Sequence, residues 1–134
     1  MTEKNTVFLI DDDLDDQEIF SYVMRELDNQ IKCSFASDGI RALQRINGDS
    51  WFTPGLIFID INMPRMNGVE CLREIKKIER LRNVPVYMYS TSAEPDIIGQ
   101  CKKLGAAGYI QKHHDTDAVK EEFRKIISQL QLSV

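Results

Sequence analysis

Five aspartates occupy six consecutive positions within VFLIDDDLDDQEIF, residues 7–20, and no Lys or Arg lies close to them in sequence. Asp13, Asp15 and Asp16 have an ordinary use at the start of a helix, where carboxylates meet unpaired N–H groups and the positive end of the macrodipole. Asp11 and Asp12 do not, because they stand where a short apolar run ends. Asp60 ends another apolar run, Ser90 follows a third, and Lys112 follows a fourth. Three carboxylates suit a hard divalent cation such as Mg²⁺, which takes oxygen ligands and would relieve their mutual repulsion. Beside such a cation Asp60 could act as a nucleophile and form an acyl phosphate. Ser90 and Lys112 would then bind the remaining phosphoryl oxygens.

That chemistry requires segments far apart in sequence to end on one rim. Residues 7–10, 33–37, 56–61, 84–89 and 108–111 read as strands, several of them too apolar to have a wet face. Helical stripes alternate with them. Ile19, Phe20, Val23, Met24 and Leu27 form the first, Ile40, Leu43 and Ile46 the second, and Val69, Leu72 and Ile75 the third. Ile97, Ile98, Cys101 and Leu104 form the fourth, and Val119, Phe123, Ile126, Ile127 and Leu130 the fifth. Thr53-Pro54-Gly55 is expected ahead of the third strand, Asn83 and Pro85 frame the fourth, and Gly105 closes the fourth helix. Met63 fills a gap, Pro64 stiffens its loop, and Gly68 is expected to permit an unusual backbone angle before the third helix. Five β-α units in this order predict a doubly wound α/β domain with a parallel sheet and right-handed crossovers. The working site of such a fold lies outside the carboxyl ends of the strands, which is where Asp11, Asp12, Asp60, Ser90 and Lys112 fall.

Composition narrows the field. The 134 residues suit one domain (1–134, core about 5–130) with no effector domain, and 43% hydrophobic with 28% charged residues is ordinary for a globular chain. A net charge of −4 argues against nucleic acid as a partner. The apolar runs are too short to span a membrane. Cys33, Cys71 and Cys101 form no CxxC pair and fall in apolar segments, which points to free thiols and a reducing cytoplasm.

Taken together, the Asp11-Asp12 pair, IFIDINMPRMNG around Asp60, YST with Ser90, and GAAGYIQK with Tyr109 and Lys112 resemble receiver domains of two-component response regulators over nearly the whole chain. The resemblance implies a flavodoxin-like sheet flanked by five helices; its strand order, 2-1-3-4-5, is carried over from chemotaxis receivers and does not follow from the pattern alone. It implies a stand-alone response regulator, not an enzyme, whose Asp60 accepts a phosphoryl group from a histidine kinase or phosphotransfer protein, either as a terminal output or as a carrier in a phosphorelay. Asp12, Asp60 and the backbone carbonyl of Asn62 would ligate Mg²⁺, with Asp11 helping through water. Ser90 and Tyr109 would form a switch pair and Lys112 the phosphate-binding cation. The downstream partner would dock on the face made by the fourth helix, fifth strand and fifth helix. The family commonly has proline after this lysine, often in a cis peptide, and here His113 stands there; a trans Lys112–His113 bond and a rearranged loop are expected.

Each element also has a plainer use. Strand-end aspartates cap helices, Ser90 serves as a turn hydroxyl, Lys112 as a solvated charge and Tyr109 as packing; His113 and His114 read as polar surface. An EF-hand starting at Asp11 fails, since its sixth position is Asp16 in place of Gly and its twelfth Tyr22 in place of Glu. No GxGxxG or GxxxxGK[ST] occurs. The rival from another class is a haloacid-dehalogenase-like phosphatase with Asp11 as nucleophile and Asp13 as acid/base. That reading wants an acidic pair on a late strand, has only Asp115 and Asp117 at the start of the last helix, and leaves Asp60 without a use.

Overall fold

A computed structural model describes residues 3–91, 94–113 and 115–130. Strand and helix alternate along the chain as β1 (Glu3–Ile10), α1 (Leu14–Leu27), β2 (Lys32–Ala36), α2 (Gly39–Gly48) and β3 (Pro54–Ile59). They continue as α3 (Gly68–Lys76), a 3₁₀ turn (Glu79–Leu81), β4 (Val86–Ser90), α4 (Pro95–Lys103), β5 (Gly108–Gln111) and α5 (Thr116–Leu130). All pairings are parallel, in the order β2-β1-β3-β4-β5. The expected strands are all present. β1 begins earlier than its apolar run because Glu3 pairs with Pro54, so Pro54 opens β3 and does not precede it. No helix among the described residues is long and apolar enough to cross a membrane.

Both faces of the central strands are dry. One face of β1 and β3 turns Val7, Leu9, Leu56 and Phe58 toward Phe20, Val23 and Met24 of α1 and Val119 and Phe123 of α5. Phe20, Phe58, Phe123 and Tyr89 pack edge to face there, with Phe58–Phe123 ring centroids 5.1 Å apart and Tyr89–Phe123 5.5 Å. Burying each such ring is worth about 1.5–3 kcal/mol. The opposite face turns Phe8, Ile10, Ile57 and Ile59 toward Ala42, Ile46, Leu72, Ile75 and Cys101 of α2, α3 and α4. The alternation along β1 is what sends neighbouring residues to opposite layers. Among the described stripe residues, Ile19 and Ile40 are exposed. Each stands at the edge of its helix's apolar arc, where the 100° step per residue carries it past the sheet.

The helix ends obey local chemistry. Asp13 caps α1 by accepting from the Asp15 and Asp16 N–H groups, Asp38 caps α2 through the Arg41 N–H, and Asn67 with Glu70 forms a capping box on α3. α4 closes with Gly105 at φ 107, its N–H bonded to the Lys102 carbonyl and that of Ala106 to the Cys101 carbonyl, a Schellman arrangement. The far end of α2 is closed by a residue distant in sequence: Arg80 donates to the carbonyls of Ile46, Asp49 and Phe52.

Gly68 corrects an expectation. Its backbone is ordinary, and the left-handed angle in this loop belongs to Arg65, at φ 66. Gly68 is needed for space, since a Cβ there would stand 2.3 Å from the Asp60 carbonyl oxygen.

Candidate functional site

The sheet's hydrogen bonds run one residue beyond the strands. Asp11 donates its N–H to the Ala36 carbonyl at 3.0 Å, and Asp60 donates to the Ile10 carbonyl at 2.9 Å. These two bonds set Asp11 and Asp60 side by side at the carboxyl edge, at the point where the connections leaving β1 and β3 diverge across the sheet. Asp12 completes the group: one carboxylate oxygen from each of Asp11, Asp12 and Asp60 lies within 4.8 Å of the others. Asp11 and Asp60 are buried, Asp12 is exposed.

Lys112 reaches this group from the end of β5, where its own N–H bonds the Ser90 carbonyl at 2.8 Å. Its ammonium lies 2.7 Å from Asp11 Oδ2, 2.7 Å from Asp16 Oδ2 and 3.5 Å from Asp60 Oδ2. The Tyr89 ring lies beneath, its centroid 5.2 Å from the nitrogen. The Lys112–His113 bond is trans, as expected without proline, and the lysine still enters the pocket. His113 is exposed; His114 lies outside the described residues.

Ser90 ends β4 fully buried, and the Asn62 side-chain amide donates to its hydroxyl at 3.3 Å. Tyr109 donates its hydroxyl to the Ser90 carbonyl at 3.2 Å. The structure thus brings Asp11, Asp12, Asp60, Ser90, Lys112 and the Asn62 side chain together, with Tyr109 attached through the β4 backbone. Asn62 also directs its own N–H at Asp60 Oδ1, 3.3 Å away.

Burial dominates the electrostatics. It pushes Asp11 up to about 6, with the Lys112 ammonium and the Asp13 N–H opposing, and it raises Asp60 against the pull of Lys112. Burial acts to lower Lys112, but the Asp11 and Asp16 carboxylates outweigh it and hold the ammonium charged. Asp11 Oδ1 is satisfied by the Asp13 N–H at 2.9 Å. Asp11 Oδ2 is ion-paired with Lys112 at 2.7 Å but takes no directed hydrogen bond. A buried carboxylate oxygen so incompletely served, beside two further carboxylates, fits a hard cation taking oxygen ligands.

Three contacts were not foreseen in the sequence. Asp16, read as a helix-start carboxylate, also grips Lys112. The Asn62 side chain reaches Ser90. Arg65 sits in a γ-turn, with the Met66 N–H bonded to the Pro64 carbonyl at 2.7 Å, and ion-pairs with buried Asp38 at 2.7 Å. All three join residues 27 or more positions apart, so no local pattern announces them. The proposed phosphatase acid/base, Asp13, is engaged with the backbone of α1, and Asp115 likewise accepts from the Asp117 N–H where α5 begins.

Comparison with known proteins identifies the family. The family model described as the response regulator receiver domain matches residues 7–124. The chemotaxis protein CheY-3 of Vibrio cholerae is 33% identical over 129 residues, covering 95% of this chain and 95% of that protein. The chemotaxis protein CheY of Pseudomonas aeruginosa is 28% identical, covering 92% and 97%. The transcriptional regulatory protein DegU of Brevibacillus brevis is 32% identical, but the match spans only 48% of it. In structure, the phosphorylated cyanobacterial phytochrome response regulator RcpA matches with TM-score 0.84 at 24% identity, over 96% of this chain and 95% of that one, which attests the fold. The family model covers most of the chain and the fold accords with it, so this chain belongs to the response regulator receiver domains.

Proposed function

We propose that Asp60 is the phosphoryl acceptor of this receiver, which works in the cytoplasm as a switch whose output is a protein contact. The observation that supports this most strongly is the convergence of Lys112 with Asp11 and Asp60 at one rim, 3.5 Å from the Asp60 carboxylate. An Asp60 oxygen attacks the phosphorus of a phosphohistidine on a histidine kinase or phosphotransfer protein. The P–N bond breaks, its electron pair stays on the imidazole nitrogen, and an acyl phosphate forms on Asp60. Asp11, Asp12, Asp60 and the backbone carbonyl of Asn62 would hold Mg²⁺, which supplies charge stabilisation for the phosphoryl oxygens when bound. Lys112 offsets the charge arriving on Asp60, and the Ser90 hydroxyl donates to a phosphoryl oxygen.

The message leaves through Tyr109. Drawing Ser90 toward a phosphoryl group displaces the carbonyl to which Tyr109 is bonded, and so changes the face formed by α4, β5 and α5. That face is the proposed docking surface for the downstream protein. The test is labelling with a small acyl phosphate and Mg²⁺. Wild type should take up one phosphoryl group and Asp60→Asn none. Label retained in Asp60→Asn but lost in Asp11→Asn would contradict the assignment and favour phosphatase-like chemistry.

A further inference from the structure

Lys112 has more anionic partners than a phosphate-binding lysine requires. At rest its closest carboxylates are Asp11 and Asp16, each at 2.7 Å, while Asp60 is the most distant at 3.5 Å. The two close partners differ in what release would cost. The Asp11 side chain is wholly buried, and parting it from Lys112 would strand a charge away from water. The Asp16 side chain is 26% exposed and faces a groove lined by Ile19, Thr91, Gln111 and His113, where water can solvate it. Asp16 also stands in the first turn of α1, whose macrodipole favours a carboxylate with or without a lysine beside it.

We propose that Asp16 is a positioning residue for the reaction at Asp60, holding the Lys112 ammonium in the resting protein and surrendering it to an incoming phosphoryl oxygen. The inference rests on Asp60 as acceptor. Asp16 therefore competes with the phosphoryl group, keeping Lys112 ordered at the rim while making phosphorylation less favourable than the pocket would otherwise allow. The remaining contacts, to Asp11 and across the Tyr89 ring, keep the lysine stem in place during the exchange.

The experiment is a beryllofluoride titration at saturating Mg²⁺, read from the amide resonances of residues 59–62, on wild type, Asp16→Asn and Asp16→Glu. Each is repeated in a Lys112→Gln background. Asp16→Asn should tighten binding roughly three- to tenfold, the worth of one partly shielded charged hydrogen bond. Asp16→Glu should restore the wild-type affinity, and in Lys112→Gln the effect of Asp16→Asn should vanish. Unchanged or weaker binding by Asp16→Asn overturns the proposal, and so does equal tightening in both backgrounds, which would mean a general charge effect. Wild type binding no beryllofluoride would instead overturn the Asp60 reading, and the role of Asp16 with it.

Discussion

Burial sets the character of the site carboxylates and of the thiols. Asp11 and Asp60 are raised by it and are held in one pocket by a lysine that several carboxylates share. The thiols follow the same rule: nothing offsets burial at Cys71, and at Cys33 a Ser21 hydrogen bond and the Arg25 charge offset it only in part. Burial pushes Cys71 from its ordinary 9.0 up to about 12, the Asp38 and Glu74 carboxylates adding to it, and pushes Cys33 up to about 11. Such thiols are poor nucleophiles at neutral pH. Between pH 9 and those values the folded protein keeps protons that the unfolded chain has lost, so stability falls as pH rises through that interval. Each thiol contributes a slope of up to about 1.4 kcal/mol per pH unit. Denaturant unfolding between pH 8 and 11 should show this decline, and a Cys33→Ala, Cys71→Ala variant should show a shallower one. Equal slopes would contradict it. The residues at strand ends were legible in the sequence because each follows an apolar run. Asp16 on Lys112 and Arg65 on Asp38 were not, since each bond depends on where a distant element comes to rest.

Among the elements, the loop from β3 into α3 is the most tightly constrained. Gly68 opens α3 against the backbone of Asp60, and an added Cβ would meet that carbonyl oxygen at 2.3 Å and the Ile61 Cα at 2.7 Å. Neither is a flexible side-chain end that can swing aside. Gly68→Ala should therefore destabilise the fold by about 1–3 kcal/mol and impair phosphoryl uptake, because relief requires moving Asp60 itself. Gly99, within α4, has nothing within 4 Å of such a Cβ, and Gly99→Ala should be neutral or stabilise by up to about 1 kcal/mol. Thermal melts of both variants check the contrast; similar losses at the two sites would refute it. The sequence pattern located this loop and its glycine but assigned the unusual backbone angle to Gly68. That angle resides at Arg65, where side-chain pairing with Asp38 accompanies the turn and no local composition marks it.

For the molecule as a whole, the alternation of apolar runs and amphipathic stripes was enough to read a doubly wound α/β domain. Strand order was not, because periodicity does not say which strands are neighbours; it came with the family resemblance and agrees with the observed β2-β1-β3-β4-β5. In that order Ser90 and Tyr109 lie on adjacent strands, with Tyr109 paired beside Met88, so the acidic pocket and the α4, β5 and α5 face share the β4 backbone. Beryllofluoride with Mg²⁺ should accordingly shift amide resonances within residues 90–127, centred near Tyr109. Tyr109→Ala should shrink the shifts in α4 and α5 while leaving beryllofluoride bound at Asp60. Shifts that avoid residues 90–127 would place the output surface elsewhere, for instance around α1.

Reductive trapping tests the central claim most directly. Protein treated with a small acyl phosphate and Mg²⁺, then with borohydride, carries homoserine in place of whichever aspartate held the phosphoryl group, and peptide mass spectrometry locates it. The account predicts homoserine at position 60 alone, dependent on Mg²⁺. Homoserine at position 11, or at neither position in protein that has taken up phosphoryl groups, would contradict it.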